Sequence, residues 1–473
     1  MVHDLLVHEL LLGVLLGLGV LAYVQGQRGQ ATKHPPAQRT KKPPQVPKPF
    51  AGLTQKPLCV AWEQGQAHVD QPPPAPPLLI APKRGRPRTV DTYTQYCPTK
   101  TCAYYGWVGH GNIRANGHPS SGTWRQFHCM VCDTYFLETH HPLFYGKTLP
   151  AERIVCVVTA LAEGLGIRAV ARVFELDPNT VLAWLSEAAA QLAAFSRYLL
   201  QDVYINHVQL DELFATVSEV QAGQGSAAEA NEPFPRSPHW VWAAIDPVSK
   251  LLLALDVGER TLAMAQRLVH QVRQVLAPGC VPLFLSDGLK EYATALLTHW
   301  GHWVSPPRRR SLGPTPKPRW LPQPELLYAQ VVKTYRRRCL VRMRQRVVFG
   351  TLAHVVHVLA PRGWHINTAS IERVNLTICH HVAAVGRRVM TVAKSAAGLR
   401  SQLHLDQTYY NFCLPHVSLR VPMAHPQPMN GRGSVKRWSP CTPAMAAGLT
   451  DRVWSLREVL LFRVPPWPQP ARL

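Results

Sequence analysis

The sequence predicts an α/β domain that follows a small cysteine-rich module and a helical segment. Three observations support this order. Two close cysteine pairs lie near residue 100, apolar residues recur at helical spacing over 150–196, and strand-like and helix-like segments alternate from His207 onward. A chain of 473 residues is long enough for several domains and at least one sizeable core.

The charge balance points to a polyanionic partner. Lys and Arg total 51 against 28 Asp and Glu, a formal net charge of +23. Such a field favours nucleic acid first, and an anionic membrane surface second, over a neutral metabolite. The 11 cysteines include a single C-x-x-C pair, which argues against a secreted disulfide framework and for a reducing, cytoplasmic compartment.

An apolar N-terminal segment leaves a second location open. Residues 10–24 (LLLGVLLGLGVLAYV) are uncharged, and several basic residues follow them. The run is shorter than the roughly 20 residues that a membrane helix needs, although extension back to Leu5 reaches that length. We expect an apolar helix within residues 1–30 of a cytoplasmic, nucleoid-associated protein. Membrane association through residues 5–24 is the alternative, and the basic flank would then keep the rest of the chain in the cytoplasm.

Residues 31–92 are predicted to be an extended linker, because they are rich in Pro, Lys and Gln and cannot bury a core. Within PKRGRPR, the Gly and Pro residues keep the arginines extended enough to enter a narrow minor groove. The candidate DNA-binding residues of this hook are Arg84, Arg86 and Arg88. A solvated basic linker is the alternative.

Two cysteine pairs predict a zinc ribbon over residues 93–147. Cys97 and Cys102 form the first pair, and Cys129 and Cys132 form the second. Four thiolates in two close pairs can surround one Zn²⁺ tetrahedrally, and the aromatic-rich segment between the pairs suits small hairpins.

Residues 148–200 are predicted to form three helices joined by tight turns. The third helix begins at Pro178, a residue that favours the first helical turn. This arrangement is typical of a helix-turn-helix, in which Asn179 and Thr180 would contact DNA. A plain helical linker is the alternative.

Three acids in the α/β region suggest a two-metal site. HVQLDELFA is a predicted strand that carries Asp211, VPLFLSDG is a predicted buried strand that ends on Asp287, and Glu372 lies on a predicted helix. Hard carboxylates of this kind can hold two Mg²⁺ (or Mn²⁺) ions for phosphoryl transfer.

Other acids in the same region are predicted to be structural. Asp246 lies at a hairpin turn, and Asp256 shortly precedes Gly258. Strict alternation along the first strand places Glu212 on the face opposite Asp211, where a neighbouring salt bridge is expected rather than a metal.

These motifs and their order resemble the DDE transposases of small bacterial insertion sequences. The resemblance rests on LDE at 210–212, SDGLKEY at 286–292, and IERVNL followed by VGRRVMTVAKS, and it covers roughly residues 95–305 and 365–448. It implies an RNase H-like catalytic domain over 201–305 and 363–420, with Asp211, Asp287 and Glu372 as the catalytic triad. It also implies double-stranded DNA as partner, at element ends and target, and a homo-oligomer on DNA. The resemblance places these residues near the DNA backbone: Arg373, Asn375, Arg387, Arg388 and Lys394.

The chain departs from this family in two places. Cys379 occupies a position seven residues after Glu372 where the family often has Arg. The interval between Asp287 and Glu372 is long, and we expect residues 306–362 to be a basic insertion with a helical stretch (KTYRRRCLVRMRQR) that contacts DNA. A solvated charged face is the alternative, and residues 421–473 are predicted to be a C-terminal tail.

Two further functions stay open beside the leading hypothesis of a transposase. One is a catalytically inactive, sequence-specific DNA-binding protein, either a regulator or a decayed transposase, which Cys379 favours. The other is a membrane-tethered nucleic-acid binder, which depends on residues 5–24.

Overall fold

The computed structural model describes residues 75–80, 90, 92–119, 124–139, 143–215, 217, 239–307, 317–337, 339–385, 393–428, 435–467 and 469. Several predicted features lie outside these ranges, namely the apolar segment 5–24, the linker residues Arg84, Arg86 and Arg88, and the pair Arg387 and Arg388. Across the described ranges, no helix has both the length and the apolar character needed to cross a bilayer.

The cysteine module contains a small antiparallel sheet. Its strands, in the order β1-β2-β3, are β1 (Ile113–Ala115), β2 (Gln126–Cys129) and β3 (Tyr135–Leu137). Ile113, Phe127 and Phe136 pack with the cysteines in a core of their own. Such a core is too small to stabilise a module of this size by apolar burial alone.

Three helices follow at the predicted positions: α1 (Ala151–Ala162), α2 (Ile167–Phe174) and α3 (Pro178–Leu199). The third begins at Pro178 as predicted, and the Asp177 side chain caps it by accepting a hydrogen bond from the Asn179 backbone N–H at 2.8 Å. Ile154, Val170 and Leu185 pack together in the largest core cluster.

A six-stranded mixed sheet forms the centre of the described chain. Its strands are β4 (His207–Phe214), β5 (His239–Ile245), β6 (Leu252–Glu259), β7 (Leu283–Ser286), β10 (Leu327–Arg336) and β11 (Cys339–Phe349), in the order β11-β10-β7-β4-β5-β6. β4, β5 and β6 form an antiparallel meander, β7 lies parallel to both β4 and β10, and β11 closes the edge antiparallel to β10. This order and these directions resemble the RNase H-like fold.

Helices cover both faces of this sheet. They are α4 (Leu262–Val275), α5 (Glu291–Trp300), α6 (Leu352–Leu359), α7 (Ala369–His381) and α8 (Ala396–Thr408). On one face, α4 and α5 bury Leu268 and Leu296 in the same cluster as Trp242. On the other, α7 buries Ile371 with Val241. Adjacent strand residues thus enter different cores, as the two-residue period requires.

The basic stretch around KTYRRRCLVRMRQR was predicted to be helical, and this prediction is wrong. The segment forms the hairpin of β10 and β11, and β10 is an inner strand that pairs with β7. Arg342, Arg344 and Arg346 recur at every second position, which is the period of a strand. The high charge concealed this alternation, and much of the segment predicted as an insertion contributes to the central sheet.

The remaining elements are short: β8 (Gly301–Val304), β9 (Arg319–Pro322), β12 (Val421–Pro428), β13 (Val435–Ser439), α9 (Pro443–Ala446) and α10 (Leu456–Leu461). The C-terminal segment beyond α10 packs against the cysteine module. Arg463 stacks on Tyr96 and Phe136 at 4.4 and 4.8 Å, and the ring of Trp467 lies 5.0 Å from that of Tyr105. The predicted tail therefore contributes to the packing of the first module.

Candidate functional site

Four thiols lie together at the centre of the cysteine module. The sulfurs of Cys97, Cys102, Cys129 and Cys132 are all within 4.8 Å of one another. Cys97 Sγ lies 3.5 Å from Cys132 Sγ, and Cys102 Sγ lies 4.0 Å from Cys129 Sγ. Tetrahedral zinc with Zn–S bonds of about 2.3 Å requires S···S separations of about 3.8 Å. The four thiols therefore fit one zinc ion.

Neighbouring groups donate hydrogen bonds to two of these sulfurs. Asn112 Nδ2 donates to Cys129 Sγ at 3.5 Å, and the Tyr104 backbone N–H donates to Cys102 Sγ at 3.4 Å. A hydrogen bond from Cys97 lowers the pKa of Cys129, whereas burial raises the pKa of Cys102 to about 11. A cation that binds these sulfurs must therefore displace protons, and such binding weakens as the pH falls.

A second cluster lies where β7 ends beside β4. The last pair between these strands joins Leu210 to Ser286, so Asp211 and Asp287 follow at the same edge of the sheet. Among the described residues, the carboxylate oxygens of Asp211, Glu212 and Asp287 lie within 4.8 Å of one another. Two of the three acids predicted from the sequence are thus brought together.

Glu212 also belongs to this cluster, although the sequence predicted it to be a salt-bridge partner rather than a metal ligand. Asp211 contacts Asn375 of α7 and Glu212 contacts Tyr292 of α5, so the two side chains leave β4 on opposite faces of the sheet, as the strand period predicts. The predicted salt bridge is present. Arg260 Nε donates to Glu212 Oε1 at 2.9 Å, and Tyr292 Oη donates to Glu212 Oε2 at 3.1 Å.

Arg260 links two of these acids. One of its terminal nitrogens pairs with Glu212 and also lies 3.8 Å from Asp287 Oδ2. Its guanidinium stacks on the Trp240 ring at 4.9 Å. Neither Arg260 nor Tyr292 was predicted to belong to the site, because both are distant in sequence from Glu212. Tyr292 is the last residue of the SDGLKEY motif, but the motif drew attention only to Asp287.

Glu372 lies on α7, beside the cluster but not within the 4.8 Å group. It accepts a hydrogen bond from Thr368 Oγ1 at 2.8 Å and forms an ion pair with Lys333 of β10. One helical turn later, Asn375 Nδ2 donates to Asp211 Oδ2 at 2.8 Å. The buried Asn375 Oδ1 has no hydrogen-bond partner among the described residues. Helix α7 therefore presents two polar groups to the acids.

Burial and neighbouring charge raise the pKa values of Asp211 and Glu212. Burial is the largest cause and raises the pKa of Asp211 to about 7, with the charges of Glu212, Asp287 and Glu372 adding to the effect. Burial likewise raises the pKa of Glu212, and Asp287 adds to the effect. A carboxylate cluster with this excess of negative charge fits a divalent cation, which would lower these pKa values again.

We expect the buried Asp211 carboxylate to make the free energy of unfolding depend on pH. The pKa of Asp211 is about 7 in the fold against 3.8 for an unperturbed aspartate, so the folded chain binds more protons than the unfolded chain between these two values. The free energy of unfolding therefore falls as the pH rises from about 4 to about 7. In chelator at about pH 8, Asp211→Asn should be more stable than wild type by roughly 2 kcal/mol, after discounting for solvent screening. Near pH 4 the two proteins should match.

Urea denaturation at both pH values measures this difference. Asp451→Asn removes an exposed carboxylate and serves as the control for the loss of one negative charge. A variant Asp211→Asn that is less stable than wild type at about pH 8 would contradict the prediction.

The predicted DNA-binding residues within the described ranges lie at two places. Asn179, at the start of α3, and Lys394, just before α8, line one cavity of about 270 Å³. Thr180 follows Asn179 and is half-buried, and Arg373 is exposed beside Glu372 on α7. Asn375, placed near the DNA backbone by the family resemblance, donates a hydrogen bond to Asp211.

Asp246 and Asp256 were predicted to be structural acids, and their contacts agree with this prediction. Asp246 accepts from the Val248 and Ser249 backbone N–H groups, each at 3.0 Å, within the hairpin turn. Asp256 is 2% exposed and forms ion pairs with Arg267 at 2.7 Å and Arg400 at 3.1 Å.

Cys379, which stands where Arg was expected, is half-buried on α7. It packs against the core between α7 and the sheet.

Similar solved structures include complexes of Mos1 transposase. The Mos1 strand transfer complex shares 14% identity over 32% of this chain, with a TM-score of 0.12. The paired-end complex with the left transposon end shares 16% identity over 33%, with a TM-score of 0.14, and the mariner paired end complex with Mn shares 14% identity over 33%, with a TM-score of 0.13. This chain covers 55%, 59% and 59% of those three chains. No family model matches the sequence, and neither does any curated protein.

Proposed function

We propose that this protein is a DDE-type transposase, which binds the ends of a mobile element and catalyses metal-dependent cleavage and strand transfer of DNA. The observation that carries this proposal is the convergence of Asp211 and Asp287 at the ends of adjacent parallel strands, inside an RNase H-like sheet. The formal charge of +23 supports a polyanionic substrate.

Asp211, Asp287 and Glu372 would hold Mg²⁺ or Mn²⁺. Carboxylate oxygens are the ligands these ions prefer, and bound ions of this type activate an attacking oxygen and stabilise the leaving oxygen in phosphoryl transfer. Asn375 holds the Asp211 carboxylate in place through its 2.8 Å hydrogen bond. Lys333 and Thr368 orient Glu372 at the edge of the cluster.

Arg260 has a separate role in this proposal. It pairs with Glu212, so that the charge of the most buried acid of the cluster has a partner other than a metal ion. The remaining acids are then free to bind cations at the open side of the site, where the Asp287 and Glu372 side chains are 36% and 48% exposed.

The other modules would supply DNA binding. The four cysteines would hold Zn²⁺ and so stabilise the ribbon, and helices α2 and α3 would act as a helix-turn-helix through Asn179 and Thr180. Lys394 lines the same cavity as Asn179, which brings a cation from the segment before α8 to that surface.

A non-catalytic DNA-binding protein is the second candidate. The position of Glu372 outside the close acidic group, paired with Lys333, favours it, and so does Cys379. One assay separates the two functions. Purified protein is incubated with DNA that carries the sequences flanking its gene, with Mg²⁺ or with chelator. A transposase should cut near the element ends only in Mg²⁺, whereas a non-catalytic binder should retain the DNA uncut in both.

A further inference from the structure

The hairpin of β10 and β11 extends beyond the central sheet and has two chemically different faces. Its register pairs Gln330 with Arg346, Val332 with Arg344 and Thr334 with Arg342. Residues at alternate positions share one face of a strand, so the three arginines lie in a row. We call Arg342, Arg344 and Arg346 the arginine row.

The opposite face of the hairpin is largely apolar. Lys333 pairs with Met343, and Tyr335 pairs with Leu340. Tyr335, Leu340 and Met343 are 59%, 53% and 58% exposed. Lys333 lies on this face and forms an ion pair with Glu372 of α7. The apolar face is therefore the face of the hairpin that is turned toward α7.

The arginine row is exposed and its charge is uncompensated nearby. All three arginines are exposed. The described ion pairs give none of them a carboxylate partner, and Arg346 instead donates to the Gln330 side-chain oxygen at 2.5 Å. Three guanidinium groups spaced about 7 Å apart along a strand form a regular line of positive charge. Guanidinium forks match phosphate oxygens in shape and charge.

The row begins beside the acidic cluster. Gln330, the partner of Arg346, donates to the Leu289 carbonyl oxygen at 3.0 Å, two residues after Asp287. Val332, the partner of Arg344, lies against Gly288. The row therefore leads outward from the loop that carries Asp287.

We propose that the arginine row binds consecutive phosphates of the DNA strand that enters the acidic cluster. This inference rests on the proposed function and deepens it, because it assigns the substrate backbone to one face of one hairpin. In this arrangement the apolar face does not contact the DNA. A hairpin used to bind a second copy of the chain is the competing arrangement.

The experiment compares DNA binding by Arg342→Gln/Arg344→Gln with that by wild type. Each lost phosphate contact should reduce the slope of log affinity against log salt by about 0.9, so the double variant should lose roughly 2 from its slope and about 10- to 100-fold in affinity at low salt. Arg342→Lys/Arg344→Lys keeps the charge and should restore most of the slope. Leu340→Ser/Met343→Ser changes the other face and should leave the slope as in wild type.

Fluorescence anisotropy with a labelled duplex measures the slopes, and sedimentation measures the oligomeric state. An unchanged salt slope in the glutamine variant overturns the inference. The inference is also overturned if the apolar-face variant loses self-association while the arginine substitutions leave DNA binding unchanged. Cleavage is scored separately. If the glutamine variant has a reduced slope but wild type does not cleave DNA, only the proposed transposase activity is overturned. If wild type cleaves DNA and the slope of the variant is unchanged, only the role of the arginine row is overturned.

Discussion

Asp287→Asn is expected to abolish metal-dependent strand cleavage and to leave DNA binding almost unchanged. The amide keeps the shape of the side chain but loses the charge that holds the cation. Loss of a charged ligand at a phosphoryl-transfer site removes several kcal/mol of transition-state stabilisation, which corresponds to a loss of rate of about 1,000-fold or more. Gel assays of cleavage and anisotropy with the same duplex give the two measurements.

The local structure should survive this substitution. Asp287 Oδ1 accepts a hydrogen bond from the Leu289 backbone N–H at 2.9 Å, and an amide oxygen can accept the same bond. The melting temperature should therefore stay near that of wild type.

Asp256→Asn is the matched control for an acid with a structural role. It removes a buried charge from its partners Arg267 and Arg400, so we expect it to lower stability by about 3 kcal/mol. Cleavage and binding should then fall together on heating. If Asp287→Asn behaved like this control, Asp287 would be structural and the catalytic assignment would be wrong.

Cys129→Ser is expected to release zinc and unfold the cysteine module. The small apolar core leaves the metal as the main source of stability, and structural zinc contributes about 10 to 16 kcal/mol of apparent binding energy in comparable modules. Wild-type protein should carry about one equivalent of zinc by elemental analysis. Amide hydrogen exchange in β1 and β2 should lose its protection in the variant and after chelation.

Cys156→Ser provides the control for this prediction. Cys156 is an exposed free cysteine on α1 and does not belong to the four-thiol group. Its replacement should leave zinc content and exchange protection as in wild type. Full protection of β1 and β2 after complete removal of zinc would show that the metal does not stabilise this module.

Local sequence patterns were enough to predict several elements. The apolar repeat and Pro178 predicted the start of α3, and apolar runs ending on acids predicted β4 and β7. The spacing of the cysteines predicted a common site, because two close pairs can converge only where hairpins bring them together. These predictions succeeded because each depends on neighbours within a few residues.

The prediction that failed depends on contacts between distant segments. The β10–β11 hairpin was expected to be helical, although the pairing of Leu327–Gln330 with β7 makes it part of the sheet. Glu212 was predicted to lie on the face opposite Asp211 and to form a neighbouring salt bridge, and its contacts with Arg260 and Tyr292 agree with this prediction. Strand pairing, which is not local, overrides the local helical interpretation of residues 333–346.

The sequence by itself determined which residue types could carry chemistry: four cysteines in pairs, acids at strand ends, and an excess of positive charge. Tertiary structure decided how they are arranged. It joined Arg260 to Glu212 across 48 residues, Asn375 to Asp211 across 164, and Lys333 to Glu372 across 39. Residue type fixes what a side chain can bind, but ligand sites require distances of a few ångströms, and only the packing of sheet and helices sets those distances.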